Sequence, residues 1–385
     1  MATGSFEFGP RRGVYAEVAT TLDPQAAPLT GAQREAFDSL DRLYRAVCAM
    51  LYNYVPASGH PGGSISSGRI VAGVVFDALD YDFARPDRED ADVLCYAAGH
   101  KAMGMYAMWA LRDEVARLAA PELLPDLRLR LRLEDLLGFR RNPVTRTPLF
   151  ATKRTKPLDG HPTPATPFVP LATGASGVGL ASSIGLALAA RDYYGPDAPR
   201  VHILEGEGGL TPGRASEALA AAGTASLDNV VLHVDWNQAS IDSNHVCREG
   251  VQPGDYVQWT PPELLRLHDW NVVFVPDGMD FDQVIAGQRL AATLANGQPT
   301  AVVYRTVKGW RYGIEGRASH GAGHPLCSEG FYRALSELGV LGDLKLPVCE
   351  AGERRCDPPG EGRSVMEQCF WEALSVVRQR LEESR

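Results

Sequence analysis

The sequence has no run of roughly 18 apolar residues, so it lacks the signature of a membrane-spanning helix. It also lacks a basic surplus. Lys and Arg number 38 against 47 Asp and Glu, a net charge of −9. Nucleic-acid binding leaves a basic footprint, so that class is excluded. No apolar stretch follows a basic start at the N-terminus, so no secretory signal is expected and a cytoplasmic location is. The 7 cysteines are odd in number, scattered and free of any CxxC pair. The expectation is reduced thiols rather than a disulfide scaffold. No GxGxxG follows a first strand, so nothing points to a dinucleotide. No internal repeat is present.

What remains is an ordinary globular composition. The chain has 385 residues, 45% hydrophobic and 22% charged, which suffices for a large core. Residues 1–30 read as a loose arm. Apolar residues at helical spacing predict a helix over 31–54, including Phe37, Leu40, Tyr44, Val47 and Leu51. The run Ser58-Gly59-His60-Pro61-Gly62-Gly63 reads as a loop, with a second helix over 65–79. A buried strand is expected over 92–97, with a helix opening at Gly99-His100. Leucine and arginine alternate from Leu127 to Leu133. Residues 142–160 form a Pro-rich, basic insertion with Arg146, Lys153, Arg154 and Lys156. A solvated surface loop is the plain reading of that cluster. From Gly174 the chain becomes regular: a Gly/Ala/Ser-rich helix over 174–190, then strands at 201–204, 230–234, 272–275 and 301–304. Helices over 213–222 and 280–294 separate them. This alternation predicts an α/β fold with a doubly wound, mostly parallel sheet spanning residues 31–345. In such sheets ligands sit at the carboxyl ends of strands. Residues 346–385 read as a linker and an amphipathic helix over 364–381 that docks in cis or on a partner.

The most informative stretch is Gly206-Glu207-Gly208 at the predicted carboxyl end of a strand. Glycines there let backbone N–H groups approach a phosphate, and the helix that follows adds a positive dipole end. Asn237 lies 30 residues after Glu207, just past the next strand. Glu207, Asn237 and a nearby carbonyl form an oxygen set suited to Mg²⁺ bridging two phosphates.

With these residues in place, the chain resembles the N-terminal, diphosphate-binding part of transketolase, a thiamine diphosphate enzyme. The family's Gly-Asp-Gly…Asn motif is matched by Gly206-Glu207-Gly208…Asn237. Ser58-Gly59-His60-Pro61-Gly62, Gly99-His100, Gly160-His161-Pro162, Thr173-Gly174-Ala175-Ser176-Gly177 and Ser319-His320-Gly321 match further family landmarks in order. The resemblance spans about residues 35–335. It implies thiamine diphosphate with Mg²⁺ (or Ca²⁺), the metal held by Glu207, Asn237 and the carbonyl of Ala239. It implies that Gly206, Gly208, Asn237 and His100 contact the diphosphate, and that Gly174 and Ser176 line the cofactor. His60, His161 and His320 would surround the reactive carbon, where ketol transfer requires protons to move to and from oxygens. His202, His233, His245, His268 and His324 match no landmark and read as core or surface histidines.

There are departures. Glu207 stands where the family has Asp, and Pro212 where it has another acid, while Glu217 is retained. The basic insertion before Gly160 suits a phosphate or an acidic surface. The resemblance covers only the diphosphate half, so it implies a split enzyme. A second subunit would supply the pyrimidine-binding domain, in an α2β2 assembly. The expected activity is two-carbon ketol transfer to a sugar phosphate or to an acyl or peptidyl carrier protein, without nucleic acid or membrane. A first component of a 2-oxoacid dehydrogenase and a non-catalytic scaffold of the same fold are the alternatives.

Overall fold

The computed structural model describes residues 9–19, 28–55, 60–141, 147–239, 259–312, 315, 329–340 and 361–384. Its centre is a six-stranded sheet in which every neighbouring pair is parallel. The strands are β1 (Tyr15–Glu17), β2 (Val93–Tyr96), β3 (Val201–Gly206), β4 (Val230–Trp236), β5 (Asn271–Val275) and β6 (Thr300–Arg305), in the order β1-β5-β6-β4-β3-β2. Burial of both sheet faces explains the near-continuous apolar runs of β3 to β6. One face packs against α1 (Gly31–Tyr54), α2 (Pro61–Ser66), α3 (Gly68–Gly73) and α4 (Ala102–Ala119). A short α5 (Pro148–Lys153) lies beyond them. The other face packs against α6 (Val178–Tyr194), α7 (Gly213–Thr224) and α8 (Pro261–Leu267). On the first face, α9 (Phe281–Thr293) covers β5 and β6. The last helices are α10 (Glu329–Glu337) and α11 (Glu361–Glu383). This is the doubly wound α/β architecture that the strand–helix alternation implies.

Several local expectations are revised. Part of the segment read as an arm is edge strand β1, paired to β5 and anchored by Arg12, which meets Asp269 at 2.7 Å. The run after His60 is helical from Pro61. Proline suits the first helical position, and Gly62 and Gly63 are small enough for the stems of Lys308 and Lys101 to pack on them. The expected helix over 65–79 is the end of α2, then α3 and a π turn over Val74–Ala78. The Leu/Arg alternation is not a strand. It falls on two 3-10 turns, Leu127–Leu129 and Leu133–Gly138. Leu131 and Leu133 enter the core, while Arg130 pairs with Asp113 and Arg132 with Asp135. The helix placed over 174–190 begins at Val178, because Gly177 takes a left-handed φ of 75°.

The basic insertion is partly internal. Lys156 donates to the carbonyls of Leu127 and Arg128, and Lys153 lies over the Trp371 ring at 4.1 Å. Residues 142–146 lie outside the described residues. The C-terminal helix docks in cis. Phe370 stacks on Tyr54 at 4.3 Å, and Arg378 bridges Glu114 and Glu134. Cys48 and Cys95 are buried free thiols, as expected. Cys369 is disulfide-bonded, which corrects the reading of all seven as reduced. Among the described residues no helix is long and apolar enough to cross a membrane.

Candidate active site

A cavity of about 230 Å³ opens at the carboxyl ends of β2, β3 and β4. Its walls bring together His60, His100, His161, Gly174, Ser176, Gly206, Glu207, Gly208, Asn237 and Ala239. Those residues come from distant stretches of chain, and the sheet topology is what gathers them. His320 lies outside the described residues.

Each wall has a local cause. Strand β3 ends at Gly206, and the chain turns through a 3-10 segment over Glu207–Leu210 before α7 begins at Gly213. Glu207 is thereby tucked under the turn and only 3% exposed. Its Oε1 is buried and has no hydrogen-bond partner among the described residues. Strand β4 ends at Trp236, so Asn237 arrives at the same level. The Asn237 amide is fixed from both sides. Its Nδ2 donates to Ser66 Oγ at 3.2 Å, and its Oδ1 accepts from the Ala239 N–H at 3.0 Å.

Strand β2 ends at Tyr96, and a 3-10 turn over Gly99–Lys101 leads into α4. That turn sits against the loop carrying Gly174. A Cβ on Gly99 would lie 2.6 Å from the Gly174 nitrogen. The His161 ring in turn rests against Gly174, where a Cβ would lie 3.3 Å from the ring carbons. These close approaches give a physical reason for glycine at both positions. Opposite them His60 caps α2, and its ring meets that of His100 edge-on at 5.0 Å.

Charge is concentrated below this cavity. Asp235 is fully buried and accepts from Lys101 Nζ at 2.6 Å, from Ser66 Oγ at 2.6 Å and from the Thr306 hydroxyl. Glu205 also lines the cavity, and its Oε2 is buried without a partner among the described residues. Burial raises the pKa of both Glu205 and Glu207 to about 7, with the Asp235 charge adding to the rise at Glu207. His100 is shifted the other way. Burial holds it well below the ordinary imidazole value, and the cations Lys101 and Lys308 reinforce this. His161 is also lowered, by burial and then by Arg140. Both imidazoles are therefore neutral near pH 7 and able to accept a proton or a hydrogen bond.

Lys101, Glu205, Asp235, Ser66 and Thr306 were not legible as site residues. Lys101 adjoins a recognised motif residue, and Asp235 precedes Asn237 by two positions, but neither spacing signals a role.

The donors present fit a divalent ion with a diphosphate. Among the described residues no cluster of three or more His, Cys, Asp or Glu could hold a metal alone. An ion here would take one oxygen from Glu207, the Asn237 amide oxygen, the Ala239 carbonyl, and phosphate oxygens for the rest. A hard cation accepts such a set, and it would engage the orphaned Glu207 oxygen. The longer Glu207 side chain is thus compatible with the role its position implies.

Fold and cavity together define an α/β domain with a polar cavity at the carboxyl edge of a parallel sheet. The family described as "Transketolase, thiamine diphosphate binding domain" matches residues 132–349. Transketolase-like protein 2 of Mus musculus is 31% identical over 265 residues, covering 69% of this chain and 35% of that protein. The transketolase of Homo sapiens is 30% identical over 252 residues, covering 66% of this chain and 34% of that protein. In structure, transketolase from Campylobacter jejuni superposes with a TM-score of 0.62 at 22% identity, over 91% of this chain and 48% of that one. Transketolase from Leishmania mexicana gives 0.61 at 22% identity, over 90% and 46%. The chain belongs to the transketolase family, through its thiamine diphosphate-binding domain. It spans about a third of the length of these curated relatives.

Proposed function

We propose that this chain is the diphosphate-binding half of a thiamine diphosphate-dependent transferase that moves a two-carbon ketol unit. The observation that carries the reading is convergence. The Gly206–Gly208 turn, Asn237, the Gly99-His100 turn, His161 and the Gly174 loop line one cavity. When bound, the cofactor supplies the carbanion chemistry. The chain's own residues do the rest. Glu207, Asn237 and the Ala239 carbonyl would hold a Mg²⁺, which would supply positive charge to the diphosphate. His100 contacts the diphosphate as a neutral donor. His60 and His161 line the same cavity, where the neutral His161 imidazole can take and return a hydroxyl proton.

A second polypeptide supplies the pyrimidine-binding domain, and the two assemble as α2β2. The acceptor is a sugar phosphate or a carrier protein. The internal commitments of Lys153 and Lys156 leave the exposed Arg154 as the basic residue available to it among the described residues of the insertion.

The test is calorimetric titration of thiamine diphosphate with Mg²⁺ into this chain, alone and mixed with the candidate second subunit. Metal-dependent binding that tightens in the mixture, and that Glu207→Ala abolishes, supports the reading. An assembled mixture that binds no cofactor overturns it in favour of a non-catalytic scaffold.

A further inference from the structure

Lys101 lines the cavity and is 1% exposed. Its stem packs on Gly63, where a Cβ would lie 3.4 Å from the lysine Cε. Its ammonium reaches the floor of the cavity. A Cβ on Gly206 would lie 3.7 Å from Lys101 Nζ. The charge is therefore placed under the turn whose backbone faces the cavity.

Among the described residues, Asp235 is the one acceptor that Lys101 meets, at 2.6 Å. An ammonium carries three donors, so two remain for whatever fills the cavity. Asp235 does not share this freedom, because Ser66 and Thr306 occupy its oxygens as well. Stability alone is a weak reason for such a pair, since a buried ion pair often does no better than apolar residues of the same volume. The surroundings supply another reason. Glu205 and Glu207 add two buried carboxylates with unpartnered oxygens, so three acids stand around one ammonium. An anionic ligand entering that field needs cations. Lys101 is one that the fold has already installed, at the N-terminal end of α4, where the helix dipole has the same sign.

We infer that Lys101 is a built-in cation of the diphosphate site, donating to the diphosphate alongside the divalent ion. This rests on the cofactor reading above. It gives the site an affinity for diphosphate that persists without metal.

The experiment titrates inorganic diphosphate and thiamine diphosphate calorimetrically into the full chain, once in EDTA and once in Mg²⁺. The variants are Lys101→Met and the double variant Lys101→Met/Asp235→Asn. The single variant strands a buried carboxylate and can fail to fold. The double variant removes both charges at nearly constant volume, and its melting temperature is measured beside the wild type. The expected result is wild-type binding in EDTA that the folded double variant loses by about tenfold or more, with a smaller loss in Mg²⁺. Equal affinities in EDTA, or wild-type binding that disappears entirely in EDTA, overturn the inference. Either result leaves the cofactor reading intact, provided Mg²⁺-dependent binding remains. Absence of binding to the wild type in both conditions overturns the inference, while the cofactor reading is decided by the assembled mixture.

Discussion

The backbone of Gly99 abuts that of Gly174, so that a methyl group on Gly99 would lie 2.6 Å from the Gly174 nitrogen and 2.7 Å from its Cα. This contact ties the turn carrying His100 to the loop that supports His161. Backbone atoms cannot step aside as a flexible side chain does. Gly99→Ala is therefore expected to cost roughly 1–3 kcal/mol, the usual penalty of overpacking. It should also displace His100 and weaken cofactor binding by about tenfold. Gly185 on α6 has nothing within 4 Å of its would-be Cβ. Gly185→Ala should be neutral or stabilise by up to about 1 kcal/mol. Thermal unfolding of the two variants checks the contrast, and a Gly99→Ala protein as stable as the wild type would refute it.

His202 and His233 form a second relationship, inside the sheet. His202 Nδ1 lies 2.9 Å from His233 Nε2, and His233 Nδ1 lies 2.8 Å from the Tyr304 hydroxyl. Burial pushes His202 down to about 3 and His233 well below the ordinary value. A base with a depressed folded pKa is neutral in the fold and charged in the unfolded chain once pH drops below about 6.5. Its contribution to stability is present above that pH and is lost as pH falls toward the folded value. Each histidine should then cost about 1.4 kcal/mol per pH unit across that window. His202→Gln removes one titrating group. Its stability should fall less steeply than that of the wild type between pH 6 and pH 4, by about one proton. Chemical denaturation at a series of pH values reads this slope directly, and parallel slopes would count against the assignment.

Much of this was legible in the sequence. The parallel sheet followed from strands such as β3 and β4, whose apolar runs are separated by helical segments. The site followed from glycine-flanked polar residues at strand ends, such as Glu207 and His100. What escaped was set by tertiary contacts. β1 is only three residues long, and its existence depends on β5 offering an edge. The helix at Pro61 contains two glycines, and local propensity argued for a loop. The stems of Lys101 and Lys308 fill the space that those glycines leave. The Leu/Arg alternation matched the period of a strand, yet Arg130 is held by Asp113 of α4 and Arg132 by Asp135 of the following 3-10 turn. Lys101 itself carries no local signal, because its role comes from Asp235, a residue 134 positions away.

The C-terminal helix is integral to the domain and gives a third prediction. Phe370 is fully buried and stacks on Tyr54 at 4.3 Å with rings 13° apart. Truncating a buried aromatic typically costs about 3–5 kcal/mol. Phe370→Ala should approach that range and lower the urea midpoint without changing its slope. Glu372→Ala, by contrast, should change stability by less than about 0.5 kcal/mol, because this side chain accepts a hydrogen bond from Gln368 on its own helix. If α11 were a loosely attached tail, the two variants would unfold alike.

The last prediction concerns metal and ligand together. A ligand that binds only the folded state stabilises it, by about 2.7 kcal/mol when present at one hundred times its dissociation constant. Each acid has one buried oxygen without a partner among the described residues, but Glu207 stands in the turn after β3, at the level of Asn237, whereas Glu205 lies within β3 with its Oε1 accepting from the Gly206 N–H at 2.9 Å. The two acids should therefore respond differently to loss of charge. In the wild type, Mg²⁺ with thiamine diphosphate should raise the melting temperature. Glu207→Gln should remove the metal-dependent part of that rise, because the amide is a much poorer ligand for a hard cation. Glu205→Gln should keep it, since its carboxylate is held by the turn rather than offered to the ion. Chelation with EDTA should return the wild type and Glu205→Gln toward their unliganded melting temperatures and leave Glu207→Gln unchanged. A thermal-shift series over these three proteins decides the matter. Equal metal responses in Glu207→Gln and the wild type would mean that the ion is held elsewhere.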